Sequence, residues 1–556
     1  MSGAARVAGI GRLPDGLLAA AALCAVVWLT WFRLSAGFGF YEDDYYRVVM
    51  TLDMTAGEVA DYLWLLVEEF QGRMGRPLHD GLIASFSWLG FRIAGKTGLF
   101  VLAASILAVN GLLFYSLLRR AWGVWAAMVG ALALVVFPAD TTRPFLTHAF
   151  GVQPALTFLL VAFHGYLRRR WWLAYPAAAG VLVSYETVFP LFLAAPLLGR
   201  RWNTRSALLH GMGALTVLAA ITSLRWLTGE GRLAGIRALD TASRVMRNVL
   251  AGPVTALRES VSRAGDGLRD GLLQDPILLV LIALGSCWLL VRGGFAAEAR
   301  RRRLRVLRWR AARLVLAGAV MLPLSYPFAL TVSAEATSGR ATRVHAPAAV
   351  GFGLMAAGLC LAAAGAGGNR WRRGMATPLP AVLLAGCVAA GFAVQRDYRD
   401  AWSRQQRVWT SVVRLCPDAG PGTLILIDAS GISGTREAVV LGWNLVDIPK
   451  RLFRFPPEQQ LPPVAAILRA DWRHHFDQGA SLASLANWQG METAFAESYA
   501  NAEVIWLTEA DGGLARVEAL GKPAAGNAGL KAPGPPRMAT LPRRPLYDLL
   551  ILPELR

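Results

Sequence analysis

The chain has 556 residues, of which 55% are hydrophobic and only 17% charged, and its mean hydropathy is +0.41. That balance excludes an ordinary soluble protein of this size, which would need more polar surface. The formal charge of +20 and a pI near 10.5 would suit a nucleic-acid binder if the arginines formed one patch, but they fall in short blocks between apolar runs, which argues against that class.

A membrane-crossing helix takes roughly 20 apolar residues. The pattern predicts nine, at about 16–36, 98–118, 121–138, 150–167, 207–227, 276–292, 313–333, 346–366 and 377–395. The first is read as an uncleaved helix, because its run continues through Trp28, Trp31 and Phe32 with no small-residue cleavage pattern. Residues 171–198, "WWLAYPAAAGVLVSYETVFPLFLAAPLL", have Arg at both flanks and are too long for one span and short for two. They predict a hairpin of two short helices turning near Tyr185 and Glu186, which makes eleven helices and puts Glu186 either in an inner cavity or at a wetted turn. Basic blocks at Arg6 and Arg12, Arg119 and Arg120, 168–170, 199–205, 300–313 and 369–374 fall on one side. Short basic loops stay in the cytoplasm, so the N-terminus is expected inside and the C-terminal part outside. Cys24, Cys287, Cys360 and Cys387 sit in predicted spans and only Cys416 lies in the outer part, which implies no disulfide framework.

The first outer loop, 37–97, is far longer than a connection needs. It opens with "FYEDDYYR", carrying Glu42, Asp43 and Asp44 in a row, at the depth where a lipid headgroup would sit. An attacking hydroxyl needs a base, and crowding with like charges and partial desolvation make a carboxylate a better one. The carboxylates can also hold Mg or Mn, through Asp43 and Asp44. The plainer reading is that Asp43 or Asp44 caps a short helix starting at Tyr45, although the capping-box Glu or Gln is absent. Two segments follow, "AGEVADYLWLLVEEF" and "QGRMGRPLHDGLIASFSWLGFRIAG". Their mixed periodicity predicts helices along the membrane surface, the second being alternatively a further short span.

Further outer loops supply cations. Arg76 in "GRPLHD", Arg143 in "PADTTRP", and Arg340, Arg343 and His345 in "AEATSGRATRVH" are candidate phosphate ligands, or snorkelling side chains. His79 and His148 are lone loop histidines, more often neither acid nor ligand. The loop from about 228 to 275 predicts amphipathic helices over the membrane surface. From Arg396 the chain turns soluble: "DYRDAWSRQQRVWTSVVRL" reads as an amphipathic helix, "GTLILID" and "AEVIWLTE" as strands, the latter opening a hairpin. The Pro-rich run at 531–545 reads as a strap, and "DWRHHFD" at 471–477 lacks metal-site spacing. The fold class expected is therefore an all-α polytopic membrane domain over 1–395, with a small α/β extracytoplasmic domain over 396–556.

The acidic pair Asp43 and Asp44 in a long first outer loop, the surface helices, the "GRPL" at Gly75 to Leu78, the "FPAD" corner at Phe137 to Asp140 and the "SYETVFPLFL" hairpin resemble the C-class (GT-C) membrane glycosyltransferases. That class includes protein O-mannosyltransferases, aminoarabinose transferases and oligosaccharyltransferases. The resemblance covers roughly 15–395 and implies transfer of a sugar from a polyprenyl-phosphate or diphosphate carrier to a glycan, lipid or protein acceptor on the outer face of the cytoplasmic membrane. It implies Asp43 as the base, Asp44 as second choice and Glu42 as third. Many relatives carry "DE" where this chain has "DD", so metal use does not transfer. A polysaccharide polymerase or ligase would shift the weight to Arg340 and Arg343, a transporter would use the Glu186 hairpin, and a scaffold would need none of these residues.

Overall fold

The computed structural model describes residues 15–68, 75–199, 203–228, 230, 238–292, 304–365 and 378–419, and beyond these 423–428, 432, 434–440, 448–455, 464–468, 503–510, 513–516, 538 and 541–555. Most of what is described is helical. In chain order the helices are α1 (Asp15–Val27), α2 (Asp43–Arg47), α3 (Ala56–Glu68), α4 (Pro77–Trp122), α5 (Val124–Val135), α6 (Leu146–Leu167) and α7 (Trp171–Tyr185). They continue as α8 (Ala195–Leu198), α9 (Thr204–Leu227), α10 (Ala238–Gln274), α11 (Pro276–Arg292), α12 (Leu304–Leu324), α13 (Ala348–Gly365) and α14 (Pro378–Leu415).

A helix overlaps each of the nine apolar stretches, but among the described residues only five helical segments are long and apolar enough to cross a membrane, or six if the bent pair Gly339–His345 and Ala348–Ala363 is one span. The difference has physical causes. Helix α5 is only 12 residues long and packed inside the bundle. Helix α12 begins in the basic run at Leu304 rather than after it. Helix α14, 38 residues in all, does not end with the apolar stretch but runs on through the charged segment that follows.

The first helix is joined to the last long one through a backbone irregularity. After α1 the chain makes a π-helical turn, Trp28–Phe32, which leaves carbonyls in want of donors. Gln395 on α14 fills the need: its amide nitrogen donates to the Leu29 and Thr30 carbonyls at 2.9 and 2.8 Å, and its oxygen accepts from the Leu34 N–H at 2.8 Å. Inside an apolar surround an unmet backbone group is expensive, so this buried amide holds the two helices in register.

Two sharp reversals build the rest. Helix α4 is broken at Ala94 and Gly95, where Gly95 has φ +56°, and its arms fold together so closely that a Cβ on Gly98 would overlap the Gly90 carbonyl. Its first arm is the second expected surface helix, continuous with the span rather than separate from it. Residues 171–198 turn at Tyr185 and Glu186 as expected, and a 3-10 stretch, Glu186–Ala194, comes back. Phe192 then lies edge-on to Tyr175, with ring centroids 6.0 Å apart, and Leu198 shares a hollow with Leu167 and Arg168 while Trp171 meets Tyr166. Both ends of the hairpin are thus at one end of the bundle, where Arg120, Arg168 and Arg313 also gather, Arg313 donating to the Gly199 carbonyl.

Helix α10 is amphipathic in reverse. Met246, Leu250, Val254 and Val261 are exposed, whereas Asn248, Glu259, Ser260 and Arg263 are turned into the protein. A helix in water would do the opposite, so its outer face suits lipid. Instead of lying over the bundle, it forms a wall of it.

The C-terminal part holds a four-stranded sheet in the order β2 (Val464–Leu468), β1 (Thr423–Asp428), β3 (Glu503–Ala510), β4 (Gly513–Arg516). Strands β2 and β3 run parallel to β1, and β4 closes the expected hairpin with Glu509 opposite Leu514. Strand β2 was not foreseen from the sequence. The "DWRHHFD" stretch lies outside the described residues, as does most of the Pro-rich run. Near the end of the chain Arg544 pairs with Asp53 at 2.8 Å, tying the C-terminus to the segment between α2 and α3.

Gly39, just before the acidic triplet, lies against the Trp402 indole, with no room for a Cβ. Gly39→Ala is expected to lower stability by about 1–3 kcal/mol through overpacking, read as a lower thermal midpoint of the detergent-purified protein. An unchanged midpoint would contradict this close approach.

Candidate functional site

The triplet divides its three carboxylates among different tasks. Glu42 precedes α2 with φ +40°, a conformation that costs energy for a residue with a side chain. The unusual backbone separates its side chain from those that follow. Asp43 then faces a cavity of about 700 Å3, while Asp44 faces the interior and is fully buried.

Asp44 caps a helix, but not its own. Its Oδ1 accepts from the Thr147 N–H at 2.8 Å and the Thr147 hydroxyl at 2.6 Å, and its Oδ2 accepts from the Tyr41 N–H at 3.2 Å. Thr147 is in the first turn of α6, whose own flanking residue, Phe145, offers no side-chain cap. A carboxylate from a distant segment therefore meets an orphan donor and the positive end of the helix. Burial pushes the Asp44 carboxyl up to about 8, against the downward pull of the Thr147 and Tyr41 hydrogen bonds. Asp44 does not line the cavity, so the second choice of base becomes a structural residue.

Asp43 meets the arginines of the late loop. Residues Gly339–His345 form a 3-10 turn, and Arg340 reaches Asp43 Oδ1 at 2.9 Å and Glu42 Oε2 at 3.2 Å. Burial raises the Glu42 carboxyl, Arg340 draws it back, Asp43 raises it further and Arg343 opposes that. Arg343 lines the cavity three residues on, within 3.1 Å of the His148 Nε2, and its Nε is buried without a hydrogen-bond partner. Two stretches almost 300 positions apart in sequence thus share one wall.

The opposite wall is an ion-pair chain. Gly75 takes φ +62°, and a Cβ there would strike the Glu230 carboxylate, so "GRP" sets a left-handed turn, an outward-reaching arginine and a helix-starting proline in succession. Arg76 grips Glu186 through two nitrogens and lies over the Tyr185 ring, 4.6 Å from its centroid. Arg225 lies 3.6 Å from Glu186 and 3.7 Å from Glu230. Arg47, four residues after Asp43, pairs with Asp80 on the first turn of α4.

The structure therefore gathers Asp43, Arg76, Arg340 and Arg343 around one cavity, with His79, His148 and Glu186. It does not bring Arg143 or His345 there. Arg143 is buried, donating to the Leu134 and Val135 carbonyls at the end of α5 and lying over Trp31. His345 is held between the Tyr326 hydroxyl, 2.9 Å, and the Ala336 carbonyl, 2.8 Å. Both complete backbone or side-chain hydrogen bonding inside the bundle, which displaces them as phosphate ligands. Sequence reasoning missed Arg47, Arg225 and Arg244 on the cavity wall. Arg225 carried a signal, an arginine inside an apolar run; Arg47 carried another, its four-residue spacing from Asp43 on a helix.

Six arginines and four carboxylates line the cavity, Asp43, Glu186, Glu230 and Asp240 being the anions. Arg244 donates to the Leu330 carbonyl and Arg343 contacts His148, and among the described residues neither forms a salt bridge. Arginines thus outnumber carboxylates on the cavity wall, and Asp43 stands there against Arg340. The Mg or Mn that Asp43 and Asp44 could hold does not fit this arrangement. Asp43 is engaged by Arg340 and Asp44 is turned away, and among the described residues no group of three or more His, Cys, Asp or Glu side chains is arranged to hold a metal.

The apolar helices and the composition define a polytopic helical membrane protein. Comparison with protein-family models, curated proteins and solved structures finds no match to the chain.

The pH dependence of stability follows from Asp44. With a folded-state value near 8 against an unfolded one near 4, the folded protein binds the extra proton between those limits. Stability is therefore expected to fall as pH rises from about 4 to about 8. Thermal midpoints across that range should drop for wild type and flatten for Asp44→Asn, whereas equal slopes in both would remove Asp44 as the cause. Asp44→Ala, which strands the Thr147 and Tyr41 donors, should cost about 1–3 kcal/mol per orphaned group at pH 5.

Proposed function

We propose that the protein is a membrane glycosyltransferase that moves a sugar from a polyprenyl-phosphate or diphosphate carrier to an extracytoplasmic acceptor. The observation that carries this reading is the pairing of Asp43 with Arg340 at the edge of a cavity where Arg343 and Arg244 lack carboxylate partners. A phosphate needs such cations, and an attacking hydroxyl needs such a carboxylate.

In this mechanism the acceptor oxygen forms a bond to the anomeric carbon and its proton passes to Asp43. The bond from that carbon to the phosphate oxygen breaks, and the electron pair leaves with the phosphate. Arg343 and Arg244 stabilise the charge that develops there, and Arg340 orients the Asp43 carboxylate. Arg76, bound in both directions by Glu186, serves the architecture of the far wall.

The lipid carrier has a route to this cavity. Leu218 and Ile221 of α9 and Thr241 and Arg244 of α10 line it together with Phe328 and Val332. Helices α9 and α10 both turn exposed apolar residues outward, Leu215 and Leu224 on one, Leu250 and Val254 on the other. A polyprenyl chain would lie along these helices with its phosphate directed toward the arginines. The cytoplasmic membrane, with the N-terminus inside and the cavity on the outer face, is the location this reading carries with it. The acceptor is a lipid, polysaccharide or protein hydroxyl.

Asp43→Asn is expected to lower sugar transfer in membranes by about 100-fold or more at matched protein level, scored as loss of the glycan or glycolipid product by mass spectrometry. Arg343→Ala should lower turnover at saturation along with use of the donor, because the charge it meets develops as the phosphate leaves. Full activity in Asp43→Asn would end the assignment of Asp43 as the base.

A further inference from the structure

Glu437, in the C-terminal segment, makes the connections expected of a strut between elements remote from it in sequence. Its residue is only 3% exposed. Its Oε2 accepts from the Thr141 hydroxyl at 2.7 Å and from the Gly339 N–H at 3.1 Å. Its Oε1 lies 2.9 Å from Arg263 Nη1 on α10, and its own N–H donates to Asp397 on α14 at 3.2 Å. Thr142 and Asp140 bond each other within the same loop as Thr141, and Thr342 accepts from the Thr141 N–H at 3.2 Å.

Gly339 is the first residue of the turn that carries Arg340 and Arg343, and it has φ +63°. A residue in that conformation has its N–H aimed away from the turn, and Glu437 is what receives it. The next residue is the one that reaches Asp43.

We infer that Glu437 is a positioning residue: a carboxylate supplied by the C-terminal segment fixes the 3-10 turn so that Arg340 and Arg343 stand opposite Asp43 and His148. The soluble part is then a component of the cavity rather than an appendage. For its consequence on ligand binding the inference rests on reading the cavity as a phosphate site; for the geometry of the turn it does not.

The test uses the full chain in lipid nanodiscs. Hydrogen exchange is followed in peptides covering 339–345, with α6 as the internal reference. Glu437→Ala is expected to speed exchange at the turn about tenfold with α6 unchanged. Glu437→Gln keeps an acceptor oxygen for Gly339 and Thr141, and should stay within about threefold of wild type. Unchanged exchange at the turn in Glu437→Ala, or an equal rise in α6, overturns the inference. If Glu437→Ala fails to insert, Glu437→Gln is read alone, and exchange at the turn that rises with α6 to the same extent counts against it.

Binding of a polyprenyl phosphate supplies the second readout. Glu437→Ala should weaken it about tenfold in the native background but less than about twofold when Arg343 is already alanine. Equal losses in both backgrounds would show that Glu437 does not act through Arg343. If Arg343→Ala itself leaves binding intact, the phosphate reading fails, and the exchange experiment still decides the role of Glu437.

Discussion

The acceptance of the Thr147 N–H and hydroxyl by the Asp44 carboxylate is the constraint around which the cavity is arranged. It joins the first outer segment to the start of α6, so that α2 cannot shift without stranding a helix end. Because Asp43 and Asp44 are consecutive, fixing one directs the other: with Asp44 turned inward, Asp43 is turned to the cavity. The backbone at Glu42, strained at φ +40°, is the local cost of making that division within three residues. A cluster of carboxylates that would repel in isolation becomes tolerable because Arg340 meets both Glu42 and Asp43, while burial favours the neutral form of Asp44 beside Thr147.

The same principle, polar groups satisfied from far along the chain, governs the interior of the helical bundle. Gln395 meets carbonyls freed by the π-helical turn, Arg143 meets those at the end of α5, and Asn248 on α10 donates to the Ala329 carbonyl at 2.7 Å. Where water is absent an irregular backbone persists only with such partners. The irregularities in turn place the functional groups: the Glu186 break brings a carboxylate to Arg76, and the turn from Gly339 presents two arginines. Two departures from regular helix, at Glu186 and at Gly339–His345, therefore coincide with the cavity wall.

Much of this was legible in the sequence, and the limit was set by distance along the chain. The hairpin at Tyr185 and Glu186 could be read because Arg at both flanks constrains both ends locally. Asp43 could be singled out because a helix cap needs one carboxylate and three stand there in a row. Arg340 and Arg343 could be named as cations at a membrane edge, but their meeting with Asp43 and His148 is a tertiary fact that no local pattern encodes. Arg143 and His345 show the converse: both are nitrogen-bearing side chains on the same predicted side of the membrane as Arg340, yet their neighbours are carbonyls and a tyrosine hydroxyl inside the bundle. Span counting meets a similar limit: a helix overlaps each apolar stretch, but α5 needs no membrane-crossing length when neighbouring helices enclose it.

Helix α10 carries the argument furthest, because its sequence periodicity marks it as amphipathic without showing what its polar face meets. An amphipathic helix has two solutions, apolar face on the protein with polar face in water, or polar face on the protein with apolar face in lipid. Periodicity cannot choose between them; only the partners of the polar face can. Here those partners exist: Asn248 bonds a backbone carbonyl, Arg263 pairs with Glu437, and Arg244 lines the cavity. A wall of this kind is apolar outside and cationic inside. It is the form of wall through which a molecule with a long hydrocarbon chain and a charged head can reach an interior site without either part leaving its preferred surroundings.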